Sequence, residues 1–437
     1  MKTVQIGILG LGTVGAGTAE TLIRQRDLIR ARTGMDLMLK KAADLDLDRD
    51  FGFDLPNDIL TTDAEEVILD PEIAIVVELI GGTSIAKTFI LRALEAGKCV
   101  VTANKALLAE HGPELIAAAE KAGSDLFFEA SVAGGIPIIK ALREGLVANP
   151  VKRICGIMNG TCNYILTRME REGIAFDEVL KEAQDLGYAE AEPSLDVDGW
   201  DTAHKAVILA QIAFGIPVTL EDLQVSGIRN IDPTDVTNAA ELGYRIKLLA
   251  VLDSEKEGVS VSVQPVLIPI DHMLAGVELN FNAVLVDGDV VDETLYYGKG
   301  AGRLPTASAV VADIVDAARD VDTPHRIPLR WKSDPAPRLI PSGERQERSY
   351  LRLSLKDAPG TLANVADVLG HNGVSITSLL QHEDRTEEGF APVVILTSEA
   401  PVSSMEKALN ELDSLDEVGA IKTRYRVEEL GVAQCKT

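Results

Sequence analysis

A doubly wound α/β fold carrying two further modules is what this 437-residue sequence predicts. Three observations predict it. Short apolar runs alternate with helical stretches through the first third of the chain, the rhythm of βαβ units around a parallel sheet. A glycine-rich turn, Gly10-Leu11-Gly12-Thr13-Val14-Gly15, follows the first of those runs at once. The pattern then changes twice. It changes at Ala130, and again beyond residues 321–348, where Pro324, Pro328, Pro335, Pro337 and Pro341 stand among charges and read as a linker. The length allows two or three domains, and a hydrophobic content of 46% is ample for their cores.

The elements follow in order. Residues 3–9 (TVQIGIL) form a buried strand, and a helix is expected from about Val14 to Arg32. Between them Gly10 allows a tight bend, Gly12 lets the backbone approach a pyrophosphate, and Gly15 lets helix and strand pack closely. The helix N-terminus offers free N–H groups to the phosphates. The second strand, 37–43, runs into Asp44, an acid placed to take the ribose hydroxyls of NAD and repel the 2′-phosphate of NADP. No Arg or Lys directly follows that strand, so NAD is favoured; a loop acid without this role is the plain alternative. Strands at 73–79, 98–102 and 126–129, with helices at 83–96 and 113–122, complete a Rossmann-type sheet whose ligands lie at the strands' carboxyl ends. Lys105 falls at such an end, at a helix start where its charge opposes the dipole, and a functional role explains it best.

A net charge of −26 argues against nucleic-acid and anionic-membrane partners and favours solubility. The scattered Cys99, Cys155, Cys162 and Cys435 form no CxxC pair, and the histidines lack metal-ligand spacing, so neither zinc nor a disulfide framework is indicated. The chain starts directly on a strand and holds no long apolar run. No signal peptide or membrane span is expected, and a reducing cytoplasm fits.

Beyond Ala130, the run Ala133-Gly134-Gly135-Ile136-Pro137 opens a helix to about Leu146, residues 154–158 form a strand, and Asn159 to Tyr164 is a polar turn entering another helix. The stretch richest in chemistry is GYAEAEPSLDVDGWDTAHK at 187–205, which sets Glu190, Glu192, Asp196, Asp198 and Asp201 ahead of Lys205. A helix runs from near Gly199 through Phe214. On it Lys205 stands one turn beyond Asp201, and its other same-face neighbours Ile208, Leu209 and Ile212 are apolar. Two readings stand: a snorkelling lysine in an exposed helix pair, or a buried lysine held charged by acids and facing a polar substrate. Hydride attack on a carbonyl group leaves negative charge on oxygen, which an ammonium stabilises and protonates. Acids beside it would orient a substrate ammonium. The residues alone imply a small aminated carbonyl compound. Residues 240–296 read as antiparallel strands suited to a dimer interface, and Pro305 starts a helix to Arg319.

GLGTVG at 10–15, TANK at 102–105, SVAGGIP at 131–137, MNGTCNYIL at 158–166, the acid-rich stretch at 187–205 and GKGAGRLPTASAVVADI at 298–314 resemble, in order and spacing, the motifs of homoserine dehydrogenases. The resemblance covers about the first 320 residues. It implies reversible reduction of L-aspartate 4-semialdehyde to L-homoserine with a nicotinamide cofactor, on the route to threonine, methionine and isoleucine. It makes Lys205 the proton donor and Lys105 a second active-site lysine. Glu190 and Asp201 become ligands of the substrate ammonium, with Gly160, Thr161 and Tyr188 completing the pocket and Asp196 a further acid. Thr13, Val14, Lys105, Gly187 and Gly302 match cofactor contacts. Glu129, Val132, Gly134 and Ile136 match a sodium- or potassium-type cation site built largely from carbonyls. One departure is Asp44-Leu45, where many members carry a neutral residue and then Lys or Arg; it agrees with NAD. The resemblance also returns the 304–320 helix to the dinucleotide-binding domain (1–130), leaving 131–303 as the substrate-binding domain. A homodimer or homotetramer is expected.

Past the linker, the order strand (350–355), helix (361–370), strands (374–379 and 393–397), helix (403–412) and strand (419–427) is βαββαβ, a ferredoxin-like pattern. With the turn Asp357-Ala358-Pro359-Gly360 and NGVSI at 372–376, residues 349–431 resemble the ACT domains that bind amino acids in biosynthetic enzymes. The helix start at Thr361 is placed to hold a ligand carboxylate, and L-threonine is the expected effector. The rival readings are a related nicotinamide enzyme acting on another amino acid, and a non-catalytic dinucleotide- and amino-acid-sensing regulator. The regulator would need no proton donor.

Overall fold

The computed structural model describes residues 1–321, 337–381, 389–419 and 423–430. Pro324, Pro328, Pro335 and Cys435 lie outside them. The chain divides into two compact units: Met1–Ile154, His204–Glu221 and Phe281–Pro337 form the first, and Cys155–Ala203, Asp222–Asn280 and Arg338–Thr437 the second.

The first unit begins with β1 (Lys2–Leu9), α1 (Thr13–Arg24), α2 (Arg26–Thr33), β2 (Met35–Ala43), β3 (Leu60–Thr61), α3 (Ala64–Ile68), β4 (Ile73–Glu78), α4 (Ser84–Glu95), β5 (Cys99–Thr102), α5 (Lys105–Ala122) and β6 (Leu126–Phe127). The strands pair in parallel in the order β3-β2-β1-β4-β5-β6, which reverses direction between β1 and β4 and opens the crevice for a ligand there. The helix expected over 14–32 breaks at Gln25, whose N–H closes α1 on the carbonyl of Thr21. The helix expected from Pro113 starts instead at Lys105, capped by the Asn104 side chain. Pro113 lies inside it, and the buried Leu107, Leu108, Leu115, Ile116 and Ala119 outweigh its missing N–H. The expected strand at 126–129 stops at Phe127, and Glu129–Ser131 is a 3-10 turn leading to α6 (Ile138–Lys140) and a π turn, Ala141–Gly145.

Next come β7 (Val151–Ile157), α7 (Gly160–Glu172), α8 (Phe176–Asp185), α9 (Ser194–Val197), α10 (Trp200–Phe214), β8 (Gln224–Val225), α11 (Pro233–Glu241), β9 (Tyr244–Glu255) and β10 (Gly258–Pro269). Within the second unit β9 and β10 form a long antiparallel ribbon, the pairing expected for this region.

The hairpin β11 (Phe281–Gly288) and β12 (Asp292–Lys299) and the helix α12 (Arg303–Asp320) belong to the first unit. Ala309, Val310, Ile314, Ala317 and Ala318 of α12 share one core with Ile6, Ile8, Ala16, Ala19 and Leu22. The helices close tightly because a Cβ on Gly17 would lie 2.7 Å from the Arg303 carbonyl oxygen.

Residues 338–348, expected to end a linker, are structured. Leu339 bridges to Val259, and Ile340 donates its N–H to the Val259 carbonyl at 2.8 Å. The module continues with β13 (Gln346–Lys356), α13 (Thr361–His371), β14 (Ile376–Gln381), β15 (Phe390–Thr397), β16 (Ala400–Pro401), α14 (Val402–Leu412) and β17 (Thr423–Val427). Its sheet order β17-β13-β15-β14 is the ferredoxin-like arrangement, over a core of Leu351, Leu353, Val365, Leu369, Ile395, Met405 and Leu412. β17 also pairs in parallel with β10, so this sheet is continuous with the β9–β10 ribbon. Asp235 on α11, fully buried, binds Arg352 through two hydrogen bonds (2.5 and 2.8 Å), Tyr350 (2.9 Å) and Thr423 (3.0 Å). The module is thus joined to its neighbours by sheet and buried charge, not by a tether alone.

Candidate active site

The glycine-rich loop of the first unit is built for close approach. Gly10 adopts φ +92°, and a Cβ there would sit 2.7 Å from the Leu79 carbonyl oxygen. A Cβ on Gly15 would fall 1.9 Å from the Gly10 oxygen. Gly12 is different: nothing lies within 4 Å of its Cβ position. Space is therefore open above the N-terminus of α1, where no side chain caps the N–H groups at Thr13 and Val14. This cradle fits a pyrophosphate. Asp44, at the end of β2, accepts the Leu11 N–H at 2.5 Å and the Asp46 N–H at 3.0 Å, which fixes its carboxylate against the loop. Gly302, at φ +121°, precedes α12, whose Arg303 packs on Gly17 of α1 and pairs with Glu20 at 2.9 Å.

Two further strand ends meet beside this loop. Glu78 closes β4, is 1% exposed, and accepts N–H groups from Ile80 (2.8 Å) and Gly81 (3.4 Å) and the Thr102 hydroxyl (2.7 Å) at the end of β5. Burial pushes its carboxyl above the ordinary range. Asn104 caps α5 and donates to the Gly82 carbonyl at 2.7 Å, so Lys105 leaves β5 from a rigid turn. Sequence reasoning missed Glu78 and Asn104. The TANK motif contained the second, but nothing marked the first.

Glu129 is buried, and its carboxylate caps α6 by accepting N–H groups from Ile139 (2.9 Å) and Lys140 (2.7 Å). Burial pushes its pKa up to about 7. Its own N–H donates to buried Asp313 at 2.8 Å, whose carboxyl is raised by burial and then by the charge of Glu129. Ala133 and Gly134 turn through left-handed conformations at φ 54° and 51°, with Gly134 pressed on the Gly300 carbonyl. The Ile136 carbonyl accepts the Ile138 N–H at 2.8 Å, and the Glu129 carboxylate is already committed to the helix. Among the described residues no three His, Cys, Asp or Glu side chains group as a metal site, so a cation here would depend on backbone oxygens.

In the second unit the acids gather on one asparagine. Asn159 donates from Nδ2 to Asp196 (2.7 Å) and Asp201 (2.8 Å), while its Oδ1 accepts the Cys162 N–H (2.8 Å) and so caps α7. Thr161 bonds the Tyr188 carbonyl at 2.8 Å and Asp196 at 3.3 Å. Gly160 has no room for a side chain, since a Cβ would lie 2.9 Å from the Asn280 oxygen. Tyr188 is half exposed and tilts over the Tyr164 ring at 5.0 Å. Gly187, at φ +73°, lies in the same turn, and the exposed Glu190 follows. Asn159 went unrecognised as the organiser, although it opens the polar motif.

Helix α10 removes the first of the two readings of Lys205. Every residue from Asp201 to Phe214 is buried, so this is a core helix rather than an amphipathic one. Asp201 is 5% exposed and Lys205 8%, which excludes a snorkelling surface pair.

Comparison with known proteins places this architecture. A profile described as homoserine dehydrogenase matches residues 137–315, one described as the homoserine dehydrogenase NAD binding domain matches 10–129, and an ACT domain profile matches 349–414. A homoserine dehydrogenase of Neisseria gonorrhoeae is 46% identical over 98% of this chain and 100% of its own. One from Bacillus subtilis is 40% identical over 99% and 100%. The chain belongs to the homoserine dehydrogenase family. A crystal structure of a homoserine dehydrogenase from Thiobacillus denitrificans superposes with a TM-score of 0.93 at 45% identity, covering 99% of both chains. A hyperthermophilic archaeal homoserine dehydrogenase in complex with NADPH covers 73% of this chain and 98% of its own, with a TM-score of 0.62 at 29% identity.

As a homoserine dehydrogenase the chain is an NAD(P)-dependent oxidoreductase that interconverts L-aspartate 4-semialdehyde and L-homoserine, and it carries a C-terminal ACT domain. The chemistry needs no cysteine nucleophile, because no acyl intermediate forms; Cys99, Cys155 and Cys162 are buried. No described helix is long and apolar enough to cross a membrane.

Proposed function

We propose that Lys205 is the proton donor to the aldehyde oxygen and that Lys105 is the second lysine of the site. The observation that carries this is a buried lysine one turn beyond a buried aspartate on α10, with that aspartate tied through Asn159 to Asp196. An ammonium in a dry site is worth far more to a developing alkoxide than one in water. Asp201, Glu190 and Asp196, with Gly160, Thr161 and Tyr188, hold the substrate ammonium and point the aldehyde toward Lys205. The bound dinucleotide supplies the hydride in one direction and accepts it in the other. Gly10, Gly12, Thr13, Val14 and Gly15 take its pyrophosphate, with Lys105, Gly187 and Gly302 as further contacts. The regulator alternative is disfavoured because a buried lysine is costly to keep where no proton moves.

Asp44 supports NAD as the better cofactor: it is an acid at the end of β2, held by the Leu11 N–H of the glycine-rich loop, and its charge would repel a 2′-phosphate. The carbonyls of Glu129, Val132, Gly134 and Ile136 hold a sodium or potassium ion. L-Threonine binds the ACT domain at the start of α13, where Gly360 at φ +97° precedes a helix without a side-chain cap, and inhibits. The assembly is a homodimer or homotetramer in the cytoplasm. The test is an initial-rate assay with L-aspartate 4-semialdehyde and NADH or NADPH, with and without L-threonine, in sodium, potassium or tetramethylammonium buffer. Turnover with NADH at least equal to NADPH, threonine inhibition, and loss of rate in tetramethylammonium are expected. Each opposite result removes the corresponding assignment.

A further inference from the structure

The edge of β10 accepts two short parallel partners in succession. Gln224 and Val225 of β8 lie opposite Ser262 and Val263, and Arg426 and Val427 of β17 lie opposite Val266 and Leu267. Between these pairings stand Gln264 and Pro265, and Pro265 has no N–H to offer a strand. There the two partners diverge around a cavity of about 270 Å³, near the lower bound for a small-metabolite site. Its polar lining includes Gln224, Ser226, Asn230, Gln264, Arg424 and Arg426, and no carboxylate side chain is among the described lining residues.

The charges beneath are unevenly matched. Arg426 is answered by Asp253 (3.2 Å), Glu347 (3.4 Å) and Glu428. Arg424 has Glu347 at 3.5 Å and the Ser349 hydroxyl at 3.3 Å, and Arg345 has the same Glu347 at 3.3 Å. One buried carboxylate thus serves three guanidinium groups. Burial holds Arg424 and Arg345 below the ordinary guanidinium range; Glu347 and then Glu406 offset part of this for Arg424, and Glu347 and Asp253 part of it for Arg345.

We propose that this wedge binds a small polyoxygen anion without an ammonium group, a hydroxycarboxylate or a phosphate. Arg424 is its countercharge, and the amides and hydroxyls of Gln224, Asn230, Gln264 and Ser226 are its hydrogen-bond partners. A zwitterion is disfavoured, since its ammonium would meet Arg424 at the lining, while the nearest acid, Glu347, is already shared by three guanidinium groups and the Gln264 amide (3.3 Å). The site is therefore separate in place and in chemistry from an amino-acid site at the start of α13.

Occupancy is coupled to the acid cluster. The wall Ser226–Asn230 lies on α9: Ile228 donates its N–H to the Val197 carbonyl at 2.8 Å. A Cβ on Gly227 would sit 2.1 Å from the Val197 oxygen and 2.4 Å from the Asp198 Cα. Arg229 bonds Asp198 at 2.5 Å and Ser194 at 2.8 Å. Asp196, the partner of Asn159 and Thr161, is on that same short helix. A ligand that shifts the wall shifts Asp196, so it changes substrate affinity, and by linkage substrate changes ligand affinity.

The test is calorimetry and initial rates on the full-length enzyme with L-malate, inorganic phosphate and, as a zwitterion, L-alanine, at matched ionic strength. L-Malate or phosphate should bind and change KM for L-homoserine by about five-fold or more, with KM for the dinucleotide moved by less than about twofold. Binding of malate alone assigns a carboxylate ligand, and binding of phosphate alone a phosphorylated one. Arg424→Gln, and Ser226→Asp at an exposed position that leaves folding intact, should abolish both effects. The proposal is overturned if neither anion binds, if L-alanine binds as well, if KM does not move, or if Ser226→Asp leaves binding unchanged.

Discussion

Asn159→Asp isolates what the asparagine does for the acid cluster. Aspartate is as good a helix cap as asparagine, so the bond from the Cys162 N–H to the residue 159 side chain, which caps α7, survives. What is lost is the Nδ2 group that donates to Asp196 at 2.7 Å and to Asp201 at 2.8 Å. Each is a hydrogen bond to a charged acceptor, worth about 1.5–3 kcal/mol. A third carboxylate then stands against the other two, so both acids turn away. Since misplacement of a binding group by about 1 Å can cost on the order of 100-fold, kcat/KM for L-homoserine should fall by that order. The dinucleotide dissociation constant should stay near its original value. The assays are steady-state kinetics, fluorescence titration of NADH and urea denaturation. An Asn159→Asp enzyme with unchanged kcat/KM and an unchanged denaturation midpoint would refute the reasoning.

Other consequences can be measured alongside. Arg352→Met leaves Asp235 buried against Tyr350 and Thr423 without its cation, and should destabilise the second unit by about 3–5 kcal/mol, with much of this recovered by adding Asp235→Asn; recovery is read from urea midpoints. Glu129, raised from 4.5 to about 7, holds a proton in the folded state that the unfolded chain has released. Its contribution is full below pH 4.5 and is lost as pH rises to about 7, a fall of about 3 kcal/mol that Glu129→Gln should flatten in pH-dependent denaturation. Asp44→Ala should shift the kcat/KM ratio toward NADPH; an unmoved ratio would dissociate Asp44 from cofactor choice.

The sequence made the dinucleotide half legible because its constraints are local. Gly10 and Gly15 are glycines for backbone reasons visible in a six-residue window, and βαβ rhythm orders the strands. Helix ends were less legible: α5, capped by Asn104, starts at Lys105, eight residues before the proline that seemed to start it. The buried state of α10 could not be read from periodicity, since a helix covered on all sides keeps its apolar stripe and still buries Asp201 and Lys205. Contacts made by distant residues were not legible at all. Asn159 meets acids 37 and 42 positions away. The pairing of β17 with β10 joins segments separated by a stretch that reads as a linker, and only the residual structure at 338–348 shows how the two connect.

Lys205→Ala tests the central claim most directly. The substituted enzyme should fold, by its circular dichroism and melting temperature, and bind NADH with an unchanged dissociation constant. Its kcat for L-aspartate 4-semialdehyde reduction should fall roughly 10²–10⁴-fold, the range for loss of a general acid. A folded Lys205→Ala enzyme that turns over at near the original rate would contradict the assignment.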